Sequence, residues 1–156
     1  MNGSNTYQER QSFVNIAEQN FEEYCTEKNY QFHRLGFNEK TRNINYFYDL
    51  NVLIRNLPDY IVDVGDQLFV VNVKGTANFK KKEVDMIPLF LEWYDSKKAS
   101  LIYAFCFVGK KPKLIYPEKI IKLYDDSHDQ QWSDGVIYRN LNLGEQKWAF
   151  HTILEK

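Results

Sequence analysis

The chain has 156 residues, 44% of them apolar and 26% charged, and a formal net charge of −1. That is enough apolar material for the core of one domain, too little charge bias for a disordered chain, and no overall basicity of the kind that draws a protein to nucleic acid. The longest apolar runs, such as Leu101–Val108, are far too short to span a bilayer.

The first five residues are polar and are expected to be disordered; they lack the basic start and apolar run of a signal peptide, so a cytoplasmic location is expected. No repeat, low-complexity tract or Pro/Gly/Ser linker divides the chain, which reads as a single domain over 1–156. Phe13, Ile16, Ala17, Phe21, Tyr24 and Cys25 recur at spacings of three and four, which predicts a helix from about Thr6 to Lys28. Tyr30–Leu35 alternates apolar and polar residues and predicts a short strand. Asn45–Asn56 carries a helical stripe that should end before Pro58.

Asp59–Val64 and Gln67–Lys74 are β-rich runs separated by Gly65-Asp66, the signature of a hairpin. Val71 and Val73 then share one face, while Val70, Asn72 and Lys74 share the other. Asp85 is suited to cap a helix with Pro88 in its first turn, with Ile87, Phe90, Leu91 and Tyr94 buried and an end near Lys97-Lys98. Ser100–Val108 is continuously apolar, as in a central strand covered on both faces. Leu114–Tyr116, Val136–Leu141 and Trp148–Leu154 are further candidate strands. Together these elements predict a mixed sheet with helices packed on it.

Two cysteines, Cys25 and Cys106, lie far apart in apolar stretches and read as core thiols. His33, His128 and His151 have no metal-ligand spacing, and no Gly-rich phosphate loop or nucleophile elbow occurs. Three basic clusters, Lys80-Lys81-Lys82, Lys97-Lys98 and Lys110-Lys111-Lys113, are either solvated element ends or grips for a polyanion.

Pro58-Asp59, a hairpin, and then Asn72-Val73-Lys74-Gly75-Thr76 resemble the PD-(D/E)xK nuclease pattern. Residues two apart on a strand face the same way, so positions 72 and 74 project together toward an Asp on the neighbouring strand. The resemblance implies a restriction-endonuclease-like α/β fold with a central mixed sheet flanked by helices. Ala17-Glu18 before Asn29-Tyr30-Gln31-Phe32 is similar to the opening of the Holliday-junction-resolvase branch. It implies that Glu18 is an extra metal-side carboxylate, although a Glu on a Glu-rich helix can equally be a solvated charge.

The resemblance implies an Mg²⁺-dependent endonuclease that hydrolyses phosphodiester bonds in DNA, with Mn²⁺ as the alternative metal. Asp59, Asn72, Lys74 and Glu18 would be catalytic. Asp59, the Val73 carbonyl, Glu18 and Glu83 would hold the metal, and Lys80, Lys81 and Lys82 would grip DNA. Branch-cutting and restriction-type members also imply a homodimer. The departure is Asn72, where the pattern has an acid. A carboxylate from the following helix replaces it in some branches; Glu83, Asp85 and Glu92 are the candidates, and Glu83 is best placed. Asp63 is a further acid on the Asp59 strand.

Two other readings stand beside the enzyme. One is a catalytically degenerate module of the same fold that binds nucleic acid or a protein partner; the other is an unrelated α/β domain whose hairpin mimics the motif. The Asn- and Lys-rich composition suits an AT-rich genome such as a phage's, which would place the protein in the host cytoplasm.

Overall fold

The structure is a computed structural model. It describes residues 7–35, 56–65, 67–95 and 99–144, and for 7–14 the helical backbone alone. The elements are α1 (Tyr7–Glu27), β1 (Gln31–Arg34), β2 (Tyr60–Asp63), β3 (Leu68–Lys74), β4 (Asn78–Phe79), α2 (Lys81–Asp85), α3 (Ile87–Tyr94), β5 (Ala99–Phe105), β6 (Lys113–Ile115), α4 (Pro117–Asp125), β7 (Asp129–Gln131) and β8 (Ile137–Asn140).

Five strands form the main sheet in the order β1-β2-β3-β5-β6. Only β3 and β5 run parallel; the other neighbours are antiparallel, so the sheet is mixed, as the sequence predicts. A smaller sheet, β4-β8-β7, stands beside it.

Helix α1 covers one face of the main sheet. Ala17, Phe21, Tyr24 and Cys25 pack on Tyr60, Val62, Val71, Val73, Ile102 and Ala104. Burying one side chain such as Phe21 contributes roughly 1.5–3 kcal/mol. The helix stops at Asn29, whose φ of 59° is left-handed. The Asn29 N–H donates to the Thr26 carbonyl and the Tyr30 N–H to the Cys25 carbonyl, a Schellman closure that turns the chain into β1.

The opposite face is covered by α3, where Phe90 meets Val70 and Leu101, and by α4 and β4 around Tyr103, Phe105 and Phe79. Strand β5 is therefore buried on both faces, as its apolar run predicts. The predicted split of β3 also holds: Val71 and Val73 face α1, while Val70 faces α3.

Several expectations need correction. Asp85 caps no helix start. It is the last residue of α2, and its carboxylate pairs with Lys81 one turn back at 2.7 Å, because a short helix between β4 and α3 already begins at Lys81, with Lys80 at its cap. Helix α3 ends at Tyr94, not near Lys97; the Asp95 carboxylate accepts the Leu101 N–H at 3.1 Å and ties the turn to β5. The strand expected over Val136–Leu141 is β8, and it joins the small sheet. Helix α4 escaped the sequence reading, although Pro117 at its first position signals a start. The predicted helix within Asn45–Asn56 falls on residues that, up to 55, lie outside the described ones. The strand over Trp148–Leu154 and the disorder of residues 1–5 also lie outside them.

Candidate active site

The site stands at one end of the main sheet, where β1, β3 and β5 finish and β2 begins. Antiparallel pairing places Tyr60 opposite Val71, so Asp59, one residue earlier, lies level with Asn72. The Asp59 N–H donates to the Val71 carbonyl at 2.9 Å, which extends the ladder past the strand. Its carboxylate turns back along β3, and Oδ2 accepts the Val73 N–H at 2.7 Å.

Burial raises the Asp59 carboxyl from 3.8 to about 7. The negative charge of Glu18 adds to the rise, while the Val73 N–H, Arg34 and Lys74 oppose it. The group is thus poised between its two charge states at neutral pH, a condition that clusters at functional sites.

Lys74 ends β3, two residues after Asn72. Its ammonium meets the Glu83 Oε1 at 2.9 Å and lies 4.4 Å above the Phe79 ring. Glu83 is the third residue of α2, and its other oxygen accepts the Lys80 N–H at 2.7 Å, capping the helix start. Burial by itself would raise the Glu83 carboxyl, but the Lys74 ammonium and the Lys80 N–H outweigh it and hold the acid below its ordinary range. Of the three acids weighed for the place Asn72 leaves, Glu83 is the one that reaches Lys74. Asp85 is held by Lys81, and Glu92 is exposed on α3; the further acid, Asp63, is exposed at the hairpin turn, where it accepts the Gly65 N–H at 2.9 Å.

Asn72 pairs with Tyr103 in the parallel register of β3 and β5. The Asn72 amide nitrogen is buried without a well-formed hydrogen bond among the described residues. Burial raises the Tyr103 hydroxyl, and the charges of Glu83 and Asp59 raise it further, while the Asn72 amide offsets part of the rise. Tyr103, buried and paired with Asn72, thus stands beside the site within the field of both carboxylates.

Glu18 lies across the sheet end on α1, mostly covered. Its Oε2 is 2.6 Å from the Arg34 guanidinium, so it is neither a free metal-side carboxylate nor a solvated charge, but half of an ion pair. Arg34 also meets the Tyr60 hydroxyl at 3.1 Å, and that hydroxyl donates to Glu22. Arg34, Glu22, Tyr60 and Tyr103 were not singled out from the sequence. Glu18 and Glu22, one turn apart, carry a weak signal of a shared cation; Tyr103, inside an apolar strand, carries none. Of the basic cluster, Lys80 stands at the cap of α2, Lys81 is tied to Asp85, and Lys82 is exposed.

The donor types suit a hard divalent cation. Mg²⁺ is commonly held by one or two carboxylates with waters, and Asp59, Glu83 and the Val73 carbonyl are of that kind. The donor set fits, and a cation beside Asp59 would offset the burial that raises its carboxyl. Among the described residues no three acidic, His or Cys side chains stand together as a ready-made cage.

No protein-family model matches the chain, and no curated protein matches it. Among solved structures it is similar to Hjc of Archaeoglobus fulgidus, a Holliday junction resolvase from an archaeal hyperthermophile. The TM-score is 0.45 at 9% identity, over 80% of this chain and 85% of that one. At that level the likeness adds nothing to the site, which stands on its own geometry. Among the described residues no helix is long and apolar enough to cross a membrane.

Proposed function

We propose that the protein is a divalent-metal-dependent endonuclease that hydrolyses phosphodiester bonds in DNA. The observation that carries this reading is the meeting of Lys74 with Glu83 at 2.9 Å, two residues along β3 from Asn72, the residue level with Asp59 on the adjoining strand. An acid from the helix after β3 supplies the charge that Asn72 lacks, so the constellation has the parts of the pattern although one comes from a different position.

In this reading Asp59, Glu83 and the Val73 carbonyl hold Mg²⁺ or Mn²⁺. The metal would polarise the scissile phosphate and acidify a bound water. Asp59 stays oriented by the Val73 N–H, which fixes the direction of its lone pairs. Lys74, pinned over Phe79, presents a proton-bearing cation to the water or to charge growing on the phosphate. Lys80, Lys81 and Lys82 begin the helix that carries Glu83, so they lie where they would grip the DNA backbone beside the reacting bond. A homodimer, a cytoplasmic location and a phage origin belong to the same proposal.

The second reading is a degenerate module of this fold that binds DNA or a protein partner. The specific observation in its favour is that Glu18 and Glu83 are each already neutralised, by Arg34 and by Lys74.

Supercoiled, linear and branched DNA incubated with Mg²⁺ or Mn²⁺ separates the two. Cleavage by the wild type that Asp59→Ala, Lys74→Ala and Glu83→Gln each abolish is the expected outcome. Cleavage that survives Glu83→Gln overturns the assignment of the second acid. DNA retention without cleavage under either metal favours the binding module. Asn72→Asp adds an acid where Glu83 already serves, so no more than a small gain is expected.

A further inference from the structure

We infer that Arg34 is a built-in counter-cation of the candidate site, which holds Glu18 in reserve and is the charge a metal must displace to recruit that acid. This rests on the reading of Asp59 as a metal ligand. The residue is placed by the backbone: Arg34 pairs with Tyr60, and the next residue, Leu35, donates its N–H to the Asp59 carbonyl at 2.8 Å. The guanidinium therefore sits beside the strand end that carries the key acid.

A single nitrogen of the guanidinium serves three acceptors. Arg34 Nη2 is 2.6 Å from Glu18, 3.1 Å from the Tyr60 hydroxyl and 3.6 Å from Glu22. An NH₂ group has two protons, so one of the three contacts is always poorly made. The short one is to Glu18, whose side chain is 12% exposed against 33% for Arg34. The acid is thus more deeply set than its cation. Removing the cation would leave a covered carboxylate unpaired, a state that a second cation relieves. The guanidinium, by contrast, lies a third open, with its Cζ 5.3 Å from the centroid of the Tyr60 ring, and on its flexible stem it can swing toward solvent or a DNA phosphate.

Glu18 and Glu22 therefore share one fixed positive charge, which also acts on Asp59 and never titrates in the ordinary pH range. A divalent ion beside Asp59 lies within the field of that charge. While Arg34 remains, it repels the ion and occupies Glu18. Once it leaves, the repulsion ends and a further acid is released. The arrangement makes the site weak for metal in the absence of a competing anion and stronger when a phosphate draws Arg34 away.

The test is calorimetric titration of the full chain with Mn²⁺ alone, without DNA. Wild type, Arg34→Gln, Glu18→Gln, the double variant and Asp59→Asn are compared. Removing one close charge is expected to tighten binding about tenfold in Arg34→Gln. Most of the gain should be lost in Arg34→Gln/Glu18→Gln, since the released Glu18 carries it; only the part due to relieved repulsion remains. Melting provides a second readout: Arg34→Gln should unfold at a lower temperature than wild type without metal and recover with Mn²⁺. Arg34→Met, which keeps an unbranched apolar side chain beside Tyr60, takes its place should the Gln variant fail to fold. Unchanged or weaker binding in both Arg34 variants, with Asp59→Asn still abolishing it, overturns the inference and leaves the proposed function standing. A gain undiminished without Glu18 also overturns it. Absence of Mn²⁺ binding in every protein, wild type included, removes the metal-site reading and this inference with it.

Discussion

Replacing Asp59 by Asn should stabilise the metal-free protein, and only at neutral to alkaline pH. The native carboxyl lies at about 7 against 3.8 for an ordinary Asp. Between those values the folded chain keeps a proton that the unfolded chain has released, so stability falls as pH rises through the window and is level above it. A displacement of that size corresponds to roughly 4 kcal/mol, and solvent reaching the half-covered group lowers the expected effect to roughly 2–4 kcal/mol. Asparagine keeps an oxygen for the Val73 N–H and carries no charge, so it escapes the penalty. For a chain of this length the gain corresponds to roughly 5–15 °C in Tm near pH 8, and to almost nothing near pH 4. The assay is thermal or urea unfolding of both proteins in EDTA across this range. The difference between them isolates Asp59 from Glu83, whose lowered carboxyl contributes stability above its unfolded value and loses it only in acid. Parallel pH profiles for the two proteins, or an Asn variant less stable near pH 8, would refute the reasoning.

Two further outcomes follow from the same structure. Lys74→Ala leaves the part-covered Glu83 without its ammonium, so a loss of about 1–3 kcal/mol is expected in urea melts, with the Glu83 carboxyl moving upward in an NMR titration; an unmoved carboxyl would show that the pair is not formed in solution. Cys25 and Cys106 are free, buried in the same cluster and pushed up to about 12 by burial, so neither should react with a thiol reagent near neutral pH until the protein is denatured; rapid labelling of either would contradict that core.

The periodic parts of the chain were legible because one physical rule governs each. The stripe on α1 follows the helical repeat, the alternation on β3 follows the strand repeat, and the unbroken apolar run of β5 follows from cover on both faces. Helix α2 was hidden because its five residues bury only Val84, too few for a stripe to show. Asp59, Asn72 and Lys74 could be placed on one sheet end from strand geometry, since residues two apart face one way and a hairpin brings its strands into register.

What local spacing could not reveal is which charge meets which. The pairing of Glu83 with Lys74 depends on where a two-residue strand and a single helical turn direct the chain after Gly75-Thr76. The capture of Glu18 by Arg34 joins residues 16 apart through the packing of α1 on β1. Tyr103 comes beside the site only because β5 lies parallel to β3. By itself the sequence determined the sheet, its hairpin and the position of Asp59 and Lys74 on it, because these follow from the repeats of helix and strand. Tertiary structure alone decided the charge state of the site, because desolvation and ion pairing depend on groups that the chain brings together from a distance.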